Sequence, residues 1–184
     1  MTKDELIAAL TKTRDEALAT LRGVPVATFD EGRYENGWNG REILAHVASI
    51  EWTYPRLLDL ARAAGAQQTA DSKGQSAAAP PVRRTADDGS GTNAPAPGIL
   101  SYNDRQVAKR AGVPVTELIA EFEKNRNALI AAVEAADEEL LSRTIRSAGG
   151  ITGAVTDVIA AVADGHVRMH VADVAGEAWS GVRF

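Results

Sequence analysis

The sequence predicts an all-α protein, a four-helix bundle with a long loop between its second and third helices. Three observations predict this class. Alanine is abundant and aromatic residues make up only 5% of the 184 residues, a composition that favours helices. Four segments carry apolar residues at helical spacing. Between the second and third of these segments, a stretch rich in Gln, Ser, Gly, Ala and Pro has little apolar surface to offset the entropy of ordering.

The first helix is predicted to begin at Thr2 and to end before Pro25. Thr2 and Glu5 have the spacing of a capping box, in which the threonine oxygen and the glutamate carboxylate each bind an early backbone N–H. Apolar residues then recur at helical spacing until Gly23, and Pro25 cannot continue the helix. The segment that follows, up to Trp38, is predicted to be a connecting loop.

The second helix is predicted to begin at Asn39, where Asn39 and Glu42 repeat the capping pattern. It is apolar around much of its circumference, which indicates a central position in the bundle. Pro55 is expected to kink this helix or to end its first part, because proline lacks an N–H and clashes with the preceding turn. The long loop is then predicted from about Ala64 to Leu100.

The second half of the chain is predicted to contain the remaining two helices. Pro114 suits a helix start, and apolar residues follow it at helical spacing to form the third helix. Residues 137–145 are expected to include a short helical turn. A fourth helix begins after the break at residues 149–150. The length suits one domain and no internal repeat is visible, so residues 1–184 are predicted to form a single domain.

Composition excludes several classes of function. A formal net charge of −5 gives no basic field for nucleic acid, so neither DNA nor RNA is an expected partner. No apolar run approaches the ~20 residues of a membrane span, and the charged first residues lack the apolar core of a secretory signal. A cytoplasmic protein is therefore expected. The absence of cysteine leaves nitrogen and oxygen as the only metal ligands.

The three histidines of the chain have an informative spacing. His166 and His170 are four residues apart, so both imidazoles lie on one face of the fourth helix. His46, on the second helix, could complete a three-nitrogen metal site with an open coordination position. The alternative is that the pair lies by chance on an exposed helix face, while His46 is a core histidine bonded to a carbonyl.

Two carboxylates near the histidines are candidates for supporting roles. Asp173 follows His170 by three residues and shares its helix face, so it could orient a ligand imidazole through the second ring nitrogen. Solvent exposure of Asp173 is an equal alternative. Glu51 follows His46 by five residues and is expected to be a surface or rim carboxylate. It is kept as a substrate-pocket candidate because a general base near the metal would be a carboxylate of this kind.

Two stretches of this sequence resemble a known superfamily. Residues 38–52, W-N-G-R-E-I-L-A-H-V-A-S-I-E-W, resemble the helix-2 signature of the DinB-like four-helix-bundle superfamily, in which a tryptophan-led cap precedes a metal-binding histidine. Residues 165–170, G-H-V-R-M-H, resemble the helix-4 element of that superfamily. The resemblance covers about residues 2–179 apart from the loop. It implies that His46, His166 and His170 hold a divalent metal, most commonly nickel or zinc.

The resemblance also implies a kind of chemistry. The superfamily includes YfiT-like metal-dependent hydrolases, bacillithiol S-transferases, mycothiol-dependent maleylpyruvate isomerases and proteins of natural-product self-resistance. The function expected here is a metal-dependent enzyme in which the metal activates water or a low-molecular-weight thiol to attack an electrophilic small molecule, as in detoxification. The long loop would help to cover the pocket. A non-catalytic bundle that binds or sequesters a small molecule is the alternative.

Two further expectations depend on the same resemblance. Residues 101–105, S-Y-N-D-R, resemble an aromatic-Asn step in the self-resistance branch, which makes Tyr102 and Asn103 substrate-pocket candidates. The alternative is that Asn103 and Asp104 cap a short helix. Members of the superfamily often pair, so a homodimer is among the expected assemblies.

Overall fold

Four long helical units pack side by side in the computed structural model, and they confirm the predicted all-α bundle. The structure describes residues 1–31, 37–74, 98–177 and 181. The helices are α1 (Lys3–Gly23), α2 (Gly40–Glu51), α3 (Pro55–Gly74), α4 (Ile99–Ala108), α5 (Val115–Glu134), α6 (Glu138–Ser142), α7 (Val155–Ile159) and α8 (His166–Ala175). A 3-10 helix spans Val26–Asp30, and a π-helical segment, Ala160–Gly165, joins α7 to α8. The four units of the bundle are α1, α2 with α3, α5, and α7 with the π-helical segment and α8.

Both predicted capping boxes are present. Thr2 and Glu5 exchange their two side-chain to backbone hydrogen bonds at the start of α1. At the start of α2, the Asn39 side chain accepts from the Glu42 N–H at 2.9 Å, and the Glu42 carboxylate accepts from the Asn39 N–H at 2.8 Å. These bonds satisfy N–H groups that have no partner within the helix. They therefore set the first residue of the helix that carries His46.

The predicted interruption of the second helix is confirmed, but the predicted start of the loop is wrong. Helix α2 ends at Glu51, and Pro55 begins α3, where its missing N–H costs nothing. Helix α3 then continues to Gly74, ten residues beyond the predicted boundary at Ala64. The stretch is polar but rich in alanine, the strongest helix former. The remainder of the predicted loop, up to residue 97, lies outside the described residues.

A small hairpin occurs where no strand was predicted, and the short helix that was the alternative near residues 101–105 is present as α4, with an earlier start. Gly98, with a φ of +86°, precedes α4, so Asn103 and Asp104 lie inside this helix and do not cap it. Residues 144–146 and 152–154 form an antiparallel pair, β1 (Thr144–Arg146) and β2 (Thr152–Ala154), and the predicted break at residues 149–150 lies in its turn. Strands of three residues are too short to show an alternating pattern. The short helical turn predicted within residues 137–145 is confirmed as α6.

Two apolar clusters fill the bundle, one toward each end, and polar side chains lie between them. Along α1, Leu6 and Leu10 belong to the first cluster and Leu18 and Leu21 to the second. Each of the four units contributes a polar residue between its two apolar sections; these residues are Thr13, Glu51, Arg126 and Asp164. We call this group the polar layer. Within the described residues, no helix is long and apolar enough to cross a membrane.

A candidate metal centre

The three histidines predicted to form a site come together in the structure. His46 projects from α2, His166 is the first residue of α8, and His170 follows one turn later. One ring nitrogen from each histidine lies within 4.8 Å of those of the other two. His166 Nε2 and His170 Nε2 are 3.0 Å apart, and the ring centroid of His46 is 5.4 and 5.2 Å from the centroids of these two rings. The residues thus converge from two units of the bundle on one point.

This arrangement fits a divalent metal. Two nitrogens each about 2.1 Å from one ion, at an angle near 90°, lie about 3.0 Å apart. The distance between the Nε2 atoms of His166 and His170 matches that spacing. Imidazole nitrogens suit zinc and nickel among the common metals. His46 Nδ1 is buried without a hydrogen-bond partner among the described residues, as expected of an atom that is available to a metal.

The protonation states of the imidazoles also fit a metal site. Burial and the neighbouring His166 lower the pKa of His46 to about 3, and burial lowers the pKa of His166 to about 4. A charged imidazolium would lose its hydration in this interior, so the neutral form is favoured. A ligating imidazole must be neutral. Both side chains are therefore in the ligand form near pH 7.

The lowered pKa values predict how the stability of the metal-free protein depends on pH. In the unfolded chain the imidazoles of His46 and His166 take up a proton near pH 6.5, but in the folded protein they do so only near pH 3 and 4. Below pH 6.5 the unfolded state therefore binds more protons, and the free energy of unfolding falls as the pH falls. We expect a loss of about 1 kcal/mol or more between pH 7 and 5, since one pKa unit corresponds to about 1.4 kcal/mol.

Urea unfolding of the chelator-treated protein at pH 7, 6 and 5 measures this loss, in a range where most carboxylates stay ionised. The variant His46→Gln is the matched control, because it removes one of the two groups and should show a shallower dependence on pH. An equal slope in the two proteins would contradict the assignment.

The sequence did not reveal two residues that contact the histidines. The indole of Trp38 lies 5.1 Å from the His46 ring, centroid to centroid, and forms one wall of the site. The buried hydroxyl of Tyr54, in the turn between α2 and α3, donates to the Val162 carbonyl at 2.8 Å and lies 3.4 Å from His166 Nδ1. Burial raises the pKa of Tyr54 well above its usual range, so the hydroxyl keeps its proton. No local pattern marks Tyr54, because its partners lie more than 100 positions away in the chain.

The two carboxylate candidates, Asp173 and Glu51, differ in the residues that they contact. Asp173 is largely buried, with Oδ2 3.7 Å from His170 Nδ1, a separation longer than a direct hydrogen bond. Its role in orienting His170 stays a prediction. The surface or rim position predicted for Glu51 is wrong, because Glu51 is fully buried and binds Arg126 through two hydrogen bonds of 2.8 and 2.7 Å. Arg126 lies 75 positions from Glu51 in the chain, so no local sequence pattern indicates this ion pair.

The two pocket candidates on α4 have no described contact with the three histidines. Tyr102 and Asn103 are half-buried, and α4 packs against α2, the helix that carries His46. Within the described part of the chain, neither side chain makes a hydrogen bond or a ring contact with a histidine. Their place in a substrate pocket therefore stays a prediction.

The bundle brings three histidines to one point, His46 and His170 buried and His166 half-buried. It is therefore a helical protein with a candidate metal centre between its helices. The family comparison assigns the chain within that class. The sequence profile of the DinB superfamily matches residues 2–174, so the chain belongs to the DinB superfamily. The resemblance found in residues 38–52 and 165–170 is thereby confirmed. The comparison with curated proteins yields no match.

Two solved structures are similar to this fold. A crystal structure of the mycothiol-dependent maleylpyruvate isomerase aligns with a TM-score of 0.65 at 17% identity, covering 95% of this chain and 61% of the other. A histidine-to-alanine mutant of that isomerase aligns with a TM-score of 0.59 at 16% identity, covering 100% and 62%. Identities this low show a common fold. The chain spans about three fifths of the length of these two structures.

Proposed function

We propose that this protein is a metal-dependent enzyme that acts on an electrophilic small molecule with water or a low-molecular-weight thiol as the nucleophile. The observation that supports this most directly is the convergence of three histidine nitrogens within 4.8 Å of one another. His46, His166 and His170 would hold the metal, with nickel and zinc the best fits to an all-nitrogen set. A bound metal would supply Lewis-acid activation by lowering the pKa of a nucleophile.

The residues of the chain have distinct parts in this proposal. Neutral imidazoles of His46 and His166 offer their lone pairs at pH 7, and burial keeps bulk water from competing for them. The Trp38 indole beside His46 offers an apolar wall for the substrate. Asp173 would orient His170 from the Nδ1 side.

The solved structures give a reason to test thiols first. Both similar structures are described as mycothiol-dependent, and the present chain shares their fold. A thiol transferase or thiol-dependent isomerase is therefore the leading form of the proposal, and a hydrolase is the other form. A cytoplasmic location, a homodimer and a single domain over residues 1–184 stay predictions. A bundle that only binds or sequesters a small molecule is the competing function.

An activity assay with controlled metal and thiol tests the proposal. The purified protein is treated with a chelator, reloaded with zinc or nickel, and assayed on maleylpyruvate and a panel of electrophiles with mycothiol, bacillithiol or no thiol. We expect turnover that disappears on chelation, returns with metal and is lost in His166→Ala. An exposed-surface variant, Leu60→Ala, should retain it. Turnover that needs added thiol supports the transferase form, whereas turnover in water alone supports the hydrolase form. Binding of an electrophile that survives His166→Ala, without turnover, would support the sequestering bundle instead.

A further inference from the structure

The fourth helical unit departs from a regular α-helix just before the metal site. In the π-helical segment the backbone N–H groups bond carbonyls five residues earlier instead of four. The His166 N–H, for example, donates to the Ala161 carbonyl. In a regular α-helix, side chains four residues apart point in directions that differ by about 40°. Over four such steps the difference grows to about 160°, so the first and last side chains would face nearly opposite sides. A π-helical segment has more residues per turn, so it reduces this change of direction. This unit has a buried residue at every fourth position, namely Val155, Ile159, Ala163, Val167 and Val171. The π-helical segment therefore lets α7 and α8 bury the same side.

Three consecutive residues of the π-helical segment are bound by side chains from the other units. The Val162 carbonyl accepts from the Tyr54 hydroxyl at 2.8 Å. The Ala163 carbonyl accepts from the Arg126 guanidinium, and the Asp164 carboxylate accepts from the Thr13 hydroxyl. The donors come from the turn before α3, from α5 and from α1. The segment is thus held from three directions immediately before His166.

Tyr54 differs from the other two donors because it also faces a histidine of the site. A tyrosine hydroxyl has one proton, and here that proton is directed at the Val162 carbonyl. Its oxygen is therefore the acceptor for the second neighbour, His166 Nδ1, 3.4 Å away. This contact favours the His166 tautomer that carries its proton on Nδ1. In that tautomer Nε2, the atom 3.0 Å from His170 Nε2, keeps its lone pair.

We infer that Tyr54 is a positioning residue of the metal centre. Its hydroxyl anchors the π-helical segment at Val162 and selects the Nδ1–H tautomer of His166, so that Nε2 faces the position of the metal. The effect on metal affinity rests on the proposed function. The tautomer and the anchoring are properties of the metal-free protein.

The experiment compares wild type with Tyr54→Phe, which removes the hydroxyl and keeps the buried ring. Nitrogen-15 NMR of the histidine rings in the metal-free protein reports the His166 tautomer, and amide hydrogen exchange over residues 160–167 reports the anchoring. Titration with Co²⁺ reports metal affinity and, through its absorption spectrum, the coordination geometry. Thr53→Val is the matched control, because it removes the adjacent hydroxyl, which donates only within its own turn to the Ile50 carbonyl at 2.7 Å.

We expect wild type to show His166 protonated on Nδ1, and Tyr54→Phe to shift it toward the Nε2–H form with faster exchange over residues 160–167. Co²⁺ affinity should fall by about 10- to 100-fold, the usual effect of losing a partner of a metal-ligating histidine. Thr53→Val should match wild type in all three measurements. An Nε2–H tautomer in wild type, or a tautomer and exchange unchanged in Tyr54→Phe, would overturn the inference. If wild type bound no Co²⁺, Ni²⁺ or Zn²⁺, the proposed function would fail, and the NMR and exchange results alone would decide the role of Tyr54.

Discussion

Replacing His46 by alanine is expected to remove the bound metal from the purified protein. Wild type should contain close to one equivalent of nickel, zinc or another divalent metal by elemental analysis. His46 is the histidine of the candidate site that comes from α2, so its loss would leave only the two histidine nitrogens of α8. We expect affinity to fall by more than the ~10- to 100-fold that removal of an outer partner costs. Competition against a chelating dye, with both proteins loaded with the same metal, measures the difference.

The stability of the variant separates loss of a ligand from loss of fold. His46 is buried beside Trp38, so His46→Ala also leaves a cavity, and His46→Gln is the better-matched variant in volume. Both variants should lose the metal while giving helical circular dichroism like that of wild type. A wild type that contains no metal and takes up none when it is added would rule out the metalloenzyme, and so would undiminished metal content in both variants.

Replacing Arg126 by methionine is expected to be the most destabilising single change outside the apolar clusters. The Arg126 guanidinium is fully buried, with two bonds to Glu51 and further bonds to the Leu10 and Ala163 carbonyls. Removing it leaves a buried carboxylate without its charge partner and takes the side-chain donor from two helix carbonyls. The typical cost of breaking a buried pair is about 3–5 kcal/mol. Urea unfolding at pH 7 gives the change in free energy of unfolding.

Two comparison variants test whether the cost arises from the unpaired charge. Arg22→Met breaks an exposed pair with Glu123, for which about 0–1 kcal/mol is typical. The double variant Arg126→Met with Glu51→Leu removes both charges, and it should be more stable than Arg126→Met alone because apolar side chains can replace a buried pair at little cost. Burial raises the pKa of Glu51, and the charge and hydrogen bonds of Arg126 oppose that rise. A double variant less stable than the single one would contradict this explanation.

The helix starts and the pairing of His166 with His170 on one helix face could be predicted because their signals are local. A capping box spans four residues, and Thr2 and Asn39 both begin helices as their spacing predicts. The pair of histidines on α8 follows from the helical repeat alone. The predicted start of the loop at Ala64 is wrong, because alanine favours the helix through the polar and small residues that follow it. The two three-residue strands were missed because a pattern of period two needs a longer run.

Local periodicity and capping dictate the all-α class, the order of the helices and the placement of His166 and His170 on one helix face. That His46 lies beside this pair is a contact between helices, which the resemblance implied and the packing of the bundle produces. Only the tertiary structure decided that Glu51 is buried against Arg126, that Tyr54 faces His166, and that a π-helical segment precedes the site. These contacts join residues 75 or more positions apart. Their energy comes from desolvation and from hydrogen bonds that exist only once the helices have packed, so no local pattern could have specified them.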